Sequence, residues 1–202
     1  AGILTQLALY SINLRIMDIM AGEGASFAFP SRSIYIENAP SLPDVQLEHM
    51  AAALGSDVPF FIRGGTALAR GRGERLTPMP RLRDGWFVIV KPPEGFSTPA
   101  MYRRLDDLPP EPPRPDAMPA ALAAEDIRAV ADALYNSFER AVPPDSAVWD
   151  IESALRAHGA LAALLSGSGS AVFGLFARED TARAAAETLR ERWPMTFAAQ
   201  PV

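Results

Sequence analysis

The chain has 202 residues, of which 49% are hydrophobic, which is enough apolar material to bury a core and excludes a mainly disordered protein. With 19 basic against 24 acidic residues the formal net charge is −5, so no global positive field exists to hold nucleic acid or an anionic membrane. The sequence has no cysteine and only two histidines, which argues against disulfides and a zinc site. It also has no apolar run near the roughly 18 residues of a membrane span. Together these features predict a soluble, cytoplasmic protein.

The N-terminal part of the chain shows a change of pattern near Ser41. Residues 1–40 have no clear helical or strand periodicity. From Ser41 onward, apolar residues at helical spacing predict a helix that Gly55 ends. Residues 56–61 then predict a sharp turn into a second short helix, so two helix ends are expected to meet near Asp57.

The rest of the chain alternates between strand-like and helical segments. Glycine pairs flank a short predicted strand at 66–69, as hairpin turns do, and a β-branched and aromatic run at 86–90 predicts a strand buried on both faces. Residues 109–119 hold six of the 19 prolines, which predicts an extended linker or surface excursion and marks the clearest internal boundary. The remaining predicted elements are helices from about Thr98 and at 124–140, 148–158 and 180–192, and strands at 161–165, 171–176 and 195–198.

Counted from the strand at 86–90, the predicted order is strand, helices, strand, strand, helix, strand. This is the βαββαβ order of the ferredoxin-like arrangement. The sequence therefore predicts an α+β fold.

A glycine-rich stretch lies between the predicted strands that end and begin near Leu165 and Ala171. It reads Ser-Gly-Ser-Gly-Ser, with Gly167, Ser168 and Gly169 at its centre. Small residues alternating with glycine leave backbone N–H groups free to hold an anion, but a tight hairpin uses the same residues. The residues alone leave a plain turn and a phosphate-binding loop both open, and they exclude a Walker A loop because no Gly-Lys-Ser/Thr follows.

Asp57 lies in the segment Leu-Gly-Ser-Asp-Val-Pro-Phe-Phe, at a glycine turn next to a predicted helix start. A carboxylate in such a place is able to take a proton from a substrate hydroxyl. An N-capping aspartate, which accepts backbone N–H bonds, fits the same pattern. Both interpretations follow from the residues.

Three further side chains lie at the start of the helix predicted from Thr98. Ser97 and Thr98 offer hydroxyls at its N-terminus, where such hydroxyls are first of all caps. Tyr102 suits stacking on a planar ligand as well as core packing. Lys91 is the only lysine, so any mechanism that needs a lysine must use it, and no residue is assigned as a metal ligand.

Four segments taken together resemble the GHMP-type small-molecule kinases. They read LGSDVPFF at 54–61, GGTALARGRGERL at 64–76, PPEGFST at 92–98 and LSGSGSAVFGLF at 165–176, and the similarity runs from about Ser41 to Arg192. The resemblance implies a two-lobed fold, with a reduced N-terminal lobe over 1–82, of which 1–40 is atypical, and a ferredoxin-like C-terminal domain over 83–202.

The resemblance also implies an activity. It is transfer of the γ-phosphoryl group of ATP, with Mg²⁺, to the 2-hydroxyl of a cytidine diphosphate-linked methylerythritol, a small-molecule substrate of isoprenoid precursor biosynthesis. By the same resemblance Asp57 matches the catalytic aspartate of the family. Ser97, Thr98 and Tyr102 match its cytidine pocket, and the loop of Gly167, Ser168 and Gly169 matches its phosphate-supporting motif.

The N-terminal part departs from the family pattern. Residues 10–14 read Tyr-Ser-Ile-Asn-Leu where the family carries an aromatic-Ala-Lys-Ile-Asn-Leu motif, and the family's glycine-rich ATP loop has no counterpart. Three interpretations follow: an abbreviated kinase, a non-catalytic binding protein that keeps the cytidine pocket, or another GHMP-type kinase acting on homoserine or mevalonate. A missing N-terminal sheet would expose the apolar residues at 47–54 and at Phe60 and Phe61, which predicts self-association or a homodimer.

Overall fold

The computed structural model describes residues 59–60, 65–71, 73, 75–112 and 116–201. The described strands are β1 (Ala67–Arg70), β2 (Arg75–Pro78), β3 (Trp86–Val90), β4 (Ala162–Leu165), β5 (Val172–Phe176) and β6 (Thr196–Ala199). The described helices are α1 (Thr98–Asp106), α2 (Met118–Ala123), α3 (Ile127–Ala133), a 3-10 helix (Ser137–Ala141), α4 (Ala147–Ala157) and α5 (Glu179–Arg192). The helix predicted from Ser41 and the turn at Asp57 lie outside the described residues.

Four of the strands form one antiparallel sheet in the order β4-β5-β3-β6. Strand β3, one of the two interior strands, places Val88 opposite Gly174 of β5 and Ala198 of β6. With helices between β3 and β4 and between β5 and β6, this is the predicted ferredoxin-like βαββαβ arrangement. The α+β prediction is confirmed.

Both faces of strand β3 are buried. Val88 and Val90 join a cluster that also holds residues of α1, α4, α5 and the 3-10 helix. Phe87 and Ile89 join a second cluster, built with residues of α2, α3 and β1. The alternation follows from the pleat, which points successive side chains to opposite faces. The sheet therefore lies between two apolar layers, as the continuous apolar run predicts.

Strands β1 and β2 form a separate antiparallel hairpin. Its turn contains Gly71 and Gly73, both at positive φ, as the hairpin prediction requires. Phe60 is buried, with 2% exposure, in a cluster with Ala67 and Leu76. Phe60 is therefore not exposed, whereas Phe61 and residues 47–54, for which the same exposure is expected if the N-terminal sheet is missing, lie outside the described residues.

The proline-rich segment at 109–119 does not divide the chain into independent units. Strand β3 precedes it and pairs with β5 and β6, which follow it. Its described residues, 109–112 and 116–119, are mostly exposed and lie between two parts of one sheet, and α2 begins at the buried Met118. The interpretation as an internal boundary is wrong. The division into 1–82 and 83–202 stays a prediction.

The single helix predicted over 124–140 is also wrong. The chain forms α3 and the 3-10 helix there, each with its own N-cap. The Asp126 carboxylate accepts hydrogen bonds from the N–H groups of Arg128 and Ala129, and Leu134 is extended. Side chains that cap a helix start interrupt a longer one, which apolar periodicity alone does not reveal. Within the described ranges, no helix is long and apolar enough to cross a membrane.

Candidate active site

The loop between β4 and β5, residues 166–170, is a tight turn that leaves some backbone N–H groups without an acceptor among the described residues. The Ser166 N–H donates to the Ala171 carbonyl at 2.8 Å, and the Gly169 N–H donates to the Ser166 carbonyl at 2.9 Å. Neither the Gly167 N–H nor the Ser168 N–H donates a hydrogen bond to any described residue. The turn and the anion-loop interpretations are therefore compatible, because the hydrogen bonds of the turn do not use these two donors.

Gly169 has to be glycine for two reasons. Its φ of +85° lies in the left-handed region. A Cβ built on it would lie 2.7 Å from Cδ2 of Phe96 and 2.8 Å from Cδ1 of Leu165. The aromatic ring of Phe96 therefore closes over the loop backbone and fixes its path.

The helix α1 begins against this loop. The Thr98 and Ser168 hydroxyls are hydrogen-bonded at an Oγ1 to Oγ distance of 2.8 Å. Ser97 is the N-cap residue of α1, but its side chain makes no capping bond, and Pro99 occupies the first turn. The expectation that the Ser97 and Thr98 hydroxyls act as caps is wrong, since Thr98 turns to the loop and Ser97 remains exposed.

Tyr102 lies one helical turn after Thr98, on the same side of α1. Its ring meets the buried ring of Phe138 edge to face, with centroids 4.9 Å apart, and 43% of the residue is exposed. One part of the ring thus packs against Phe138 while another part remains accessible to solvent. The structure brings together Ser97, Thr98, Tyr102 and the glycine loop, which are all the described residues that the sequence singles out as a site.

Lys91 anchors the far end of the glycine loop. Its ammonium donates to the carbonyls of Pro92 and Glu94, both at 2.7 Å, and to the Ser170 hydroxyl at 3.0 Å. The buried Ser170 hydroxyl in turn donates to the Glu94 carbonyl. Burial lowers the pKa of Lys91, and the nearby Glu94 carboxylate partly opposes that shift. All three N–H donors of the only lysine are therefore used in holding structure.

Asn136 and Glu139 anchor the near end of the loop. The Asn136 amide donates to the carbonyls of Leu165 and Gly167, each at 2.8 Å, and Glu139 accepts from the Leu165 N–H at 2.9 Å. Sequence reasoning missed both residues. Their spacing of three, at the start of a helix, is the pattern of a capping box and was hidden inside the longer predicted helix.

A second carboxyl group lies behind this anchor. Glu152 of α4 is only 5% exposed, and it accepts a hydrogen bond from Arg156 at 3.2 Å. Burial raises the pKa of Glu152 to about 8, and the Glu139 carboxylate adds to the shift by charge repulsion and hydrogen bonding, whereas Arg156 lowers it. The protonated form of Glu152 is therefore expected below that pH, and its Oε1 atom has no hydrogen-bond partner among the described residues.

The catalytic aspartate expected at position 57 lies outside the described residues. Within the part of the chain that the structure describes, no group of three or more His, Cys, Asp or Glu residues could hold a metal ion. The described geometry therefore supplies a loop with spare backbone donors and a partly exposed aromatic ring, and a hydrogen bond between Thr98 and Ser168 joins the loop to the start of α1.

Comparison with known proteins confirms the resemblance seen in the four segments. Residues 118–194 match the family model for the C-terminal part of GHMP kinases. Over 160 residues the chain is 44% identical to the 4-diphosphocytidyl-2-C-methyl-D-erythritol kinase of Moorella thermoacetica, and the match covers 75% of this chain and 55% of that relative. The chain thus spans about half the length of the curated relatives it matches.

Solved structures show the same likeness. A crystal structure of 4-(cytidine 5'-diphospho)-2C-methyl-D-erythritol kinase is 39% identical with a TM-score of 0.62, over 75% of this chain and 55% of that chain. A homoserine kinase from Cytophaga hutchinsonii shares the fold with a TM-score of 0.60 at 15% identity, over 94% of this chain and 74% of that chain.

We predict that Gly169→Ala destabilises the protein by about 1–3 kcal/mol, because the methyl group meets Phe96 and Leu165 and the residue must keep a positive φ. Urea unfolding measures the change. Gly95→Ala is the matched control, since nothing lies within 4 Å of a Cβ there, and its effect should stay within about 0.5 kcal/mol. Equal stability of the two variants would contradict the packing described for the loop.

We predict that the free energy of unfolding falls as the pH rises from about 4.5 to 8, in part through Glu152. In that window the folded chain holds a proton on Glu152 that the unfolded chain, with the ordinary pKa of 4.5, has lost, so deprotonation favours unfolding. Urea unfolding at several pH values measures the slope. Glu152→Gln should flatten it, whereas Glu187→Gln, at an exposed position of α5, should leave it unchanged. An identical slope in both variants would refute the assignment.

Proposed function

We propose that this chain, whose residues 118–194 belong to the GHMP kinase family, is a small-molecule kinase that phosphorylates the 2-hydroxyl of 4-diphosphocytidyl-2-C-methyl-D-erythritol. ATP is the phosphoryl donor and Mg²⁺ its companion ion, and the product serves isoprenoid precursor biosynthesis. The observation that carries the proposal is the hydrogen bond between Thr98 and Ser168, because it joins the donor loop and the aromatic platform into one surface. The identity to the Moorella thermoacetica kinase supports this substrate.

The glycine loop serves the phosphate end of the site. The free N–H groups of Gly167 and Ser168 would donate to phosphate oxygens, and hydrogen bonds to a charged acceptor are stronger than neutral ones. Phosphoryl transfer depends almost entirely on positioning and charge stabilisation. A loop that Phe96 and Lys91 already hold in place would bind without further ordering.

Tyr102 serves the cytidine end. Its ring is fixed on Phe138 and open on the remaining side, which suits stacking on a planar base. The exposed Ser97 hydroxyl, which makes no capping bond, would be available to the substrate beside Thr98. The two ends together match the chemistry of a substrate that carries both a pyrimidine and phosphates.

Asp57 is the proposed base. As the substrate 2-hydroxyl oxygen bonds to the γ-phosphorus and the bond to ADP breaks, the hydroxyl proton passes to the Asp57 carboxylate. Phe60, three residues later in the sequence, packs in a cluster with Ala67 of β1 and Leu76 of β2. The ion is proposed to bind through the ATP phosphates, as Mg²⁺ commonly does, where it would neutralise charge. A cytoplasmic location and a homodimer are further proposals.

We predict substrate-dependent ADP release when the 202-residue chain is mixed with ATP, Mg²⁺ and diphosphocytidyl methylerythritol. Asp57→Asn should lower kcat by about 10²–10⁴-fold, because the hydroxyl proton loses its acceptor. Asp84→Asn, at an exposed bend, is the control and should keep full activity. No ADP release from folded chain would refute the kinase proposal and favour the binding-protein interpretation.

We predict that Tyr102→Ala raises the KM for the cytidine-bearing substrate by about tenfold and leaves the KM for ATP unchanged, since it removes a stacking surface. Steady-state kinetics with each substrate varied in turn measure the split. Tyr102→Phe keeps the ring and should behave as the unaltered chain does. A rise in the KM for ATP instead would place the nucleotide, and not the substrate, on Tyr102.

A further inference from the structure

The side-chain amide of Asn136 forms hydrogen bonds to the glycine loop and to the turn in which Asn136 lies. It is 8% exposed. Its amide nitrogen donates to the carbonyls of Leu165 and Gly167, and its amide oxygen accepts from the Phe138 N–H at 3.0 Å. Both amide hydrogens and the oxygen are therefore satisfied, which fixes the amide plane and with it the two carbonyls.

The contact with the Gly167 carbonyl determines where the next N–H points. In a trans peptide the C=O and the following N–H point in opposite directions, and the bond between Gly167 and Ser168 is trans. With the Gly167 carbonyl directed at Asn136, the Ser168 N–H must point away from Asn136. That N–H has no acceptor among the described residues.

The same short turn also reaches the aromatic platform. Phe138, whose N–H is held by Asn136, supports the ring of Tyr102. Asn136 thus lies between the glycine loop, which is proposed to hold phosphate, and Tyr102, which is proposed to stack on the base. In this proposal Asn136 contacts neither the phosphate nor the base. Its side chain acts through the backbone of the loop.

We propose that Asn136 is a positioning residue that aims the Ser168 N–H at a phosphate oxygen of the bound ligand. The inference rests on the proposed function, because it assumes that the loop receives phosphate. It adds a residue outside the four segments that carry the family resemblance. In this proposal the buried side-chain amide of Asn136 sets the direction of the Ser168 N–H without contacting the ligand.

The test uses the full chain and inorganic tripolyphosphate as the probe. Asn136→Leu removes the amide without adding charge and keeps the number and branching of the side-chain heavy atoms, and we expect it to weaken binding in calorimetry by at least about tenfold, the loss expected for one bond to a charged group. Asp126→Ala is the matched control, because it also loses N-cap hydrogen bonds but does not touch the loop. Its affinity should equal that of the unaltered chain. Equal affinity of Asn136→Leu and the unaltered chain would overturn the proposal.

A second measurement needs no variant, so it tests whether the Ser168 N–H binds phosphate even if Asn136→Leu does not fold. In a proton–nitrogen NMR titration of the unaltered chain, tripolyphosphate should move the Ser168 amide proton strongly downfield. The Gly169 amide proton should move little, since it already donates to Ser166. A Ser168 signal that does not move, or no binding at millimolar probe, would overturn the proposal.

The two proposals fail in different ways. ADP release with an unmoved Ser168 amide would leave the kinase function standing and remove the role of Asn136. Tripolyphosphate binding that depends on Asn136, without ADP release, would support the positioning role and refute the kinase function.

Discussion

The burial of strand β3 on both faces is the constraint on which the rest of the structure depends. Its side chains from Phe87 to Val90 enter two different apolar layers, so a polar group at any of them would lose water without gaining a partner. Both of its edges are paired as well. The strand therefore cannot shift in register by one residue without moving its whole apolar set to the wrong layer.

The register of β3 also places the site. Val90, the last residue of β3, lies opposite Val172, and Val172 lies opposite Leu165. The C-terminal end of β3 and the turn between β4 and β5 therefore lie at the same end of the sheet. This is why Lys91 meets Ser170 and why the start of α1 meets Ser168. The loop is then held from three directions before any ligand arrives, which lowers the ordering cost of binding.

Much of this could be predicted from local patterns. The apolar run of β3, the strand order and the glycine turn each follow from residue types within a short window, and the structure confirms them. The breaks in the helix predicted over 124–140 could not be predicted this way, because periodicity does not weigh the caps at Asp126 and Asn136. The partners of Asn136 lie 29 and 31 residues away in sequence. Such a contact exists only once the sheet has formed, so a local pattern does not reveal it. The role of Asp57 stays a prediction.

The strand order has a consequence for how the chain acquires its structure. The centre of the sheet, β3, precedes the proline-rich excursion, whereas its neighbours β5 and β6 follow it by more than 80 residues. During synthesis β3 therefore leaves the ribosome long before either partner exists, and its apolar side chains must wait exposed. Non-local pairing of this kind is slow and leaves apolar segments open to aggregation until their partners arrive.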